Sequence, residues 1–319
     1  MDIKNIHYLF ALEELGNMSV VASRFYISQP TLSQFLKKYE DYLGKPIFFR
    51  TKEGLKLTQE GEIFLDTARQ MIKAEQDMKN HLADLSDMMS GSITLALSSQ
   101  RAPILLPIFL PEFTQKYPNI SIRVVEGHTK DMEFKLQRGE INLAILVPPL
   151  SNPALPCEPF LEEEIFLAVP KSMPFHAEIH RNPGCIPWVD PKQLSGYPFL
   201  MYDITYRLYD FTRELFDQYQ IQPSRSFTFK NITMVAKLAS NGMGITVLPE
   251  TFVDLNYDLD YYSIGPGGSF RSLALGYPPY SYRSNAVKRF AQVLIESVRS
   301  NQETFRAEYA KRFSETEEL

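Results

Sequence analysis

The chain has 319 residues, 44% hydrophobic and 22% charged, with a net charge of −5. That length exceeds one ordinary core and predicts two or three domains of a globular protein. No apolar run approaches the roughly 20 residues that cross a bilayer, Met1-Asp2-Ile3-Lys4 lacks a signal peptide's layout, and Cys157 and Cys185 make neither a disulfide framework nor a metal site, so a reducing cytoplasm is expected.

The acidic total hides an asymmetry. Residues 1–60 hold eight Lys/Arg against seven Asp/Glu, and the rest hold 25 against 31. Within 37–56, Lys37, Lys38, Lys45, Arg50, Lys52 and Lys56 are opposed only by Glu40, Asp41 and Glu53. A small basic module rides on an acidic body.

In chain order, Ile3, Ile6, Leu9, Phe10 and Leu15 form the apolar stripe of a first helix, which Gly16 stops. Ser19 reads as the N-cap of a short second helix that turns Val21, Ala22 and Phe25 inward. Ser28 caps a third, with Pro30 in the first turn, where a missing N–H costs nothing. Leu32, Phe35, Leu36, Tyr39 and Leu43 keep the spacing of a buried face up to Gly44. Two helices joined through Tyr26-Ile27-Ser28 make a helix-turn-helix. The third helix then presents Ser28, Gln29, Pro30, Thr31, Ser33 and Gln34, a stretch whose amides and hydroxyls suit base edges in a major groove. Lys37 and Lys38 follow and suit phosphates. Residues 45–57 read as a hairpin turning at Thr51-Lys52-Glu53-Gly54, a wing that carries Arg50, Lys52 and Lys56. On pattern alone, an ordinary three-helix domain with a solvated polar face fits the same residues.

Residues 19–58 resemble the DNA-binding domain of the LysR-type transcriptional regulators. Ser28-Gln29-Pro30, Leu32-Ser33, Glu40, Leu43-Gly44, Phe49-Arg50 and Leu57-Thr58 with Gly61 carry the resemblance. Departures are apolar swaps: Val21-Ala22 for the family's Ala-Ala, Phe25 for Leu, and Tyr39 for the Leu before Glu40. The resemblance implies an all-α winged helix-turn-helix domain over 1–58.

Residues 59–90 contain no proline and one glycine, Gly61. Phe64, Ala68, Met71, Glu75, Met78, Leu82, Leu85 and Met89 follow a heptad seam, widened by Ile72 and ended by Ser90-Gly91. A single amphipathic helix packed on its own domain would look similar. Continuity and position favour a dimerisation helix, and members of the resembled family pair through this helix. Two recognition helices on a twofold axis read half-sites about 34–36 Å apart or a multiple of it, which predicts an inverted-repeat promoter site.

From Gly91 the rhythm becomes βαβαβ, which reads as a parallel sheet with helices on both faces. "SITLALSS", "ISIRVVEG" and "INLAILVP" are the strands, and 103–116 and 129–139 the helices. "EIFLAVP" begins a second unit, and 172–191, with Cys185 and Trp188, reads as an irregular excursion. "YPFLMY", a helix near 207–219, "SFTFK", "NITMVAKLASNG" and "GITVLP" follow, then strands near 259–264 and 271–277 and a helix at 284–299. Phe305, Tyr309 and Phe313 hint at a terminal helix, and Glu315, Glu317 and Glu318 at fraying. "HTKDMEFKLQRGEINLAIL" and "MVAKLASNGMGITVLPE" resemble the effector domain of the same family, which is similar to periplasmic solute-binding proteins. The expected fold is therefore α/β: an effector domain over 91–319 made of two subdomains, about 91–161 with 266–319 and about 162–265, behind the winged helix-turn-helix.

Ligands of open α/β sheets bind beyond the carboxyl ends of strands, near helix N-termini. Ser98, Ser99, Gln100 and Arg101 follow the first strand, Gly127, His128 and Thr129 the second, and Tyr202 to Tyr206, with Thr205 between, the strand "PFLM". Asn231 follows "SFTFK". In similar regulators, polar side chains at the first two places contact the effector, and Gln100 and Thr129 match them. N–H groups at the helix starts, with Arg101 or Arg207, favour a small organic anion. The Ser and Thr residues would serve equally as N-caps.

No P-loop, dinucleotide fingerprint or Gly-x-Ser-x-Gly is present, and His7, His81, His128, His176 and His180 show no metal spacing beyond His176/His180, where Pro183-Gly184 argue against a helix. Cys157 and Cys185 lack a Cys-x-x-Cys spacing for a redox pair. No cofactor, membrane role or enzyme activity is expected. The resulting expectation is a cytoplasmic LysR-type transcription regulator, a homodimer pairing into a homotetramer, binding promoter DNA under a small-molecule effector, with RNA polymerase a further candidate partner. The alternatives are a cytoplasmic solute-binding-like protein without DNA function, or an enzyme on the same scaffold.

Overall fold

A computed structural model describes residues 5–85, 90–181, 186–279 and 282–314. Ile3, Met89, Pro183-Gly184, Cys185, Glu315, Glu317 and Glu318 lie outside them, as does the side chain of Phe313. Two compact units are present.

The first unit is built on α1 (His7–Leu15), α2 (Met18–Arg24), α3 (Gln29–Leu43), β1 (Phe48–Thr51), β2 (Gly54–Leu57) and α4 (Gln59–Leu85). Gly16 and Gly44 end α1 and α3 in the left-handed region, at φ 61° and 67°. Asn17, rather than Ser19, caps α2: its side chain accepts from the Ser19 and Val20 N–H groups. An amide one residue before the helix reaches these donors, and Ser19 already lies inside the first turn. Ser28 caps α3, accepting from the Thr31 N–H, with Pro30 in the first turn. Ile6, Leu9, Leu12, Val21, Ala22, Leu32, Tyr39, Ile47 and Phe48 form the core. Glu40 is spent inside the fold, because its Oε1 accepts from the Ile47 N–H at 2.9 Å. Gly61 lets α4 approach the hairpin; a Cβ there would stand 2.1 Å from the Ile47 carbonyl.

The seam expected along α4 divides in two. Phe64 and Ala68 are buried in the winged-helix core, and Arg69 of the same turn pairs with Glu13 and lies over the Phe10 ring. Beyond them Met71, Met78, Leu82 and Leu85 are 46–84% exposed. The heptad spacing is continuous in sequence, but its first turns belong to the chain's own core.

The second unit contains β3 (Gly91–Leu97), α5 (Ala102–Lys116), β4 (Ile120–Glu126), α6 (Thr129–Gln137), β5 (Leu143–Leu146), β6 (Cys157–Pro170), β7 (Ile179–His180) and β8 (Trp188–Val189). It continues with β9 (Pro198–Tyr202), α7 (Arg207–Tyr219), β10 (Arg225–Phe229), α8 (Ile232–Ser240), β11 (Thr246–Pro249), β12 (Leu259–Ile264), β13 (Phe270–Gly276) and α9 (Asn285–Ser314). Gly91 opens β3. Strands β4, β3 and β5 are parallel, but β13 joins β5 antiparallel, so the sheet is mixed. The second half of the unit does not begin at a new strand. Cys157 to Glu164 of β6 pair with β13, and Ile165 to Pro170 pair with β11 and β12, so one 14-residue strand serves both subdomains.

Each subdomain has its own core, one around Leu95, Phe109, Phe113, Leu275 and Phe290, the other around Phe166, Phe199, Tyr202, Val235 and Tyr261. Helix α9 is longer than the expected 284–299 and belongs to both. Phe290 and Leu294 sit in the first core, whereas Tyr309 sits in the second, donating from its hydroxyl to the Tyr261 carbonyl at 2.8 Å. Arg306 grips Glu250 at 2.6 and 2.8 Å. The tail therefore does not belong to the first subdomain alone, because an apolar i, i+4 pair, Phe305 and Tyr309, packs on the second.

Candidate DNA-binding face and effector cleft

Ser33, Gln34, Lys37 and Lys38 lie on the exposed side of α3, opposite buried Leu32 and Tyr39, as the 3.6-residue period dictates. None of the four is engaged by another side chain among the described residues. The N-terminal turn is pre-arranged: the Ser28 and Thr31 hydroxyls stand 2.8 Å apart, and the Ser19 hydroxyl donates to Gln29 Oε1 at 3.1 Å. Pro30 is exposed between them. On the hairpin Arg50 and Lys52 are exposed, while Lys56 is paired with Glu53 at 2.5 Å. An exposed pair of this kind is worth little and would not withhold Lys56 from a phosphate.

The second site lies between the two subdomains. Ser98 to Gln100 follow β3, Gly127 to Thr129 lead into α6, and Asp203 to Tyr206 and Lys230 to Asn231 face them from the other side. Gln100 spans the gap. Its Oε1 accepts from the Ile232 N–H at 3.0 Å and its Nε2 donates to the Lys230 carbonyl at 3.2 Å. His128 meets Tyr206 with ring centroids 6.0 Å apart, and Arg207 donates to the Pro149 carbonyl at 2.6 Å. Asn231 caps α8, accepting from the Met234 N–H. Ser98 accepts from the Arg101 N–H at 3.3 Å, Ser99 is exposed, and Thr129 begins α6 half-buried.

Three expected effector contacts are otherwise employed. Arg101 is 4% exposed and turned away from solvent. It pairs with Glu163, and its Nη1 donates to Thr251 at 2.9 Å. Arg271 donates to the same Glu163 at 2.6 Å and Thr251 donates to it at 2.7 Å. Burial works against the charge of Glu163, but Arg101 and then Arg271 outweigh it and hold the carboxyl at about 2. A completely buried carboxylate demands such partners, and strands β6 and β13 bring one of them from 108 positions away. Tyr202 is a core residue, donating to the Val247 carbonyl at 2.7 Å; burial pushes its phenol up. Thr205 donates to its own neighbour Asp203 at 2.8 Å, and that hydroxyl draws the Asp203 carboxyl down. Arg101 is committed to Glu163 and Arg207 to the Pro149 carbonyl; Lys230 and the His128 ring also stand near Asp203. Sequence reasoning missed Glu163, Thr251 and Arg271. Three consecutive glutamates at 162–164, set between Phe160-Leu161 and Ile165-Phe166-Leu167, were the available signal.

Among the described residues no cluster could hold a metal ion and no helix is long and apolar enough to cross a membrane. Residues 3–62 match the model of the bacterial regulatory helix-turn-helix protein, lysR family, and residues 86–299 that of the LysR substrate binding domain. The chain is 26% identical over 310 residues to an uncharacterised HTH-type transcriptional regulator, YcgK, of Bacillus subtilis, covering 94% of this chain and 95% of that one. It is 28% identical over 313 residues to a hydrogen peroxide-inducible genes activator of Haemophilus influenzae, covering 94% and 98%. A full-length OxyR from Pseudomonas aeruginosa is similar in fold, with a TM-score of 0.69 at 22% identity over 94% of this chain and 95% of that one. A helix-turn-helix with its polar side presented, an α/β domain with a two-sided cleft and these two matches together place the chain in the LysR family, as a transcriptional regulator with a DNA-binding and an effector-binding domain.

Proposed function

We propose that this regulator works in the cytoplasm as a twofold dimer, pairing further into a tetramer, and reads an inverted-repeat promoter site under control of a small polar effector. Residues 1–58 act as the DNA-binding domain, 59–90 as the pairing helix and 91–319 as the effector domain, with no catalytic step. The observation that carries the reading is the row Ser33, Gln34, Lys37 and Lys38, exposed and unengaged on α3. Ser28, Gln29, Pro30, Thr31, Ser33 and Gln34 face the bases, and Lys37, Lys38, Arg50, Lys52 and Lys56 the phosphates. The exposed Met71, Met78, Leu82 and Leu85 support pairing through α4. Gel-shift titration on the DNA upstream of its own gene tests the reading, and indifference to every promoter fragment at low ionic strength removes it.

The effector reading places Ser98, Ser99, Gln100, Thr129 and Asn231 around the ligand, without Arg101, Tyr202 and Thr205. Cys157 is not a peroxide-reactive thiol in this reading. Burial, then Glu133 and Glu158, push the Cys157 thiol up, away from the reactive thiolate. Hydrogen peroxide should leave promoter binding unchanged in a gel shift, and a peroxide-dependent shift would reverse that assignment.

A further inference from the structure

Gln100 leaves the first subdomain and sits on the second as a bound ligand would. The two backbone groups it engages flank Asn231, whose extended conformation, φ −128° and ψ 118°, turns the carbonyl before it and the N–H after it to one side. That edge is what a neighbouring strand residue uses: one donor and one acceptor, close together. A planar carboxamide satisfies both, and Gln100 does so at 3.0 and 3.2 Å. A carboxylate would satisfy the Ile232 N–H and set its second oxygen against the Lys230 carbonyl, because it has no proton to give. Helix capping does not account for Gln100, since Asn231 already caps α8 from within, at 2.8 Å to the Met234 N–H. The Tyr206 hydroxyl, 3.5 Å from Nε2, and the His128 ring beside it close the same gap.

We propose that Gln100 is a latch that holds the cleft shut by occupying the Lys230 carbonyl and Ile232 N–H, and that the effector releases it by offering an edge of the same kind, a carboxamide, ureide or lactam. The proposal rests on the reading of this cleft as the effector site. Each bond of the latch shifts opening by only about fivefold, the factor of one net hydrogen bond, so a ligand supplying two equivalent bonds competes with it. The neighbouring residue explains how release is transmitted: Arg101 follows Gln100 directly and is fixed to Glu163 and Thr251, so movement of the 98–101 turn loads the shared strand β6.

Amide hydrogen exchange on the full-length chain tests this. In Gln100→Ala the Ile232 amide should exchange about fivefold faster or more, while the Val235 amide, bonded inside α8 to the Asn231 carbonyl at 3.0 Å, keeps its wild-type rate. Acetamide should restore slow exchange at Ile232 in this variant, and acetate at the same concentration should restore it less. An unchanged Ile232 amide overturns the latch, and equal rescue by acetate overturns the ligand class. Should Val235 also accelerate, Gln100→Glu provides the reading: it keeps reach and volume and loses the donor, so exchange at Ile232 should be intermediate, and a wild-type rate there overturns the proposal. Gel shift of the same wild-type preparation separates the outcomes, because loss of DNA binding removes the regulator reading and leaves the exchange result standing.

Discussion

On α3 the polar side chains Ser33, Gln34, Lys37 and Lys38 are exposed and unengaged, whereas in the cleft Gln100, Thr205, Arg207 and Asn231 already hold partners within the chain. The two partners they await explain the difference. A duplex arrives with its own regular row of donors, acceptors and phosphates, so a protein need only display matching groups on a rigid helix. A small ligand must compete with whatever already fills the cleft, and that competition is what converts binding into a change of arrangement.

The largest effect that would sharpen this contrast lies behind the cleft. Glu163→Ala leaves Arg101 and Arg271 buried without their counter-charge and should destabilise the effector domain by about 3–5 kcal/mol, read by urea denaturation. Glu163 also sets a pH dependence. Its carboxyl is held at about 2 against an ordinary 4.5, so its contribution, about 3 kcal/mol, is complete above pH 4.5 and is lost as the pH falls towards 2. Thermal unfolding of the wild type should weaken across that window, and Glu163→Gln should flatten the decline. An effector domain no less stable after Glu163→Ala would mean that the shared strand β6 is not held by charge.

Effects on the displayed side are smaller and, the Ser28 cap apart, fall on DNA instead of stability. Gln34→Ala should lower affinity for the promoter site by about 1–3 kcal/mol with little change on random duplex. Ser28→Ala removes the cap of α3 and should reduce the stability of the winged helix by about 1 kcal/mol. Lys52→Ala should weaken both DNAs alike and lower the salt slope by about one unit, measured by anisotropy titration over a salt series.

The same contrast governs what was legible in the sequence. Caps, glycine stops and periodicity are local, so α3, its Ser28 cap and its outward row follow from neighbours within a few positions. The Asn17 cap was missed by two residues because Ser19 is equally good chemistry placed just inside the first turn. The cleft depended on partners far along the chain. Nothing near Arg101 announces Glu163, 62 positions on, and nothing near Tyr202 announces the Val247 carbonyl. A polar residue after a strand looks alike whether it meets ligand or core. The long seam of α4 failed at its start for a related reason: Phe64 and Ala68 satisfy heptad spacing and core packing equally, and only the fold decides between them.

Anisotropy titration of the wild-type chain on its footprinted promoter site, against the same site with about five base pairs inserted between the half-sites, tests the twofold reading most directly. Half a helical turn of insertion places one half-site on the opposite side of the duplex. Affinity should then fall to that of an isolated half-site. Equal affinity for both duplexes would contradict a symmetric pair of α3 helices reading the DNA.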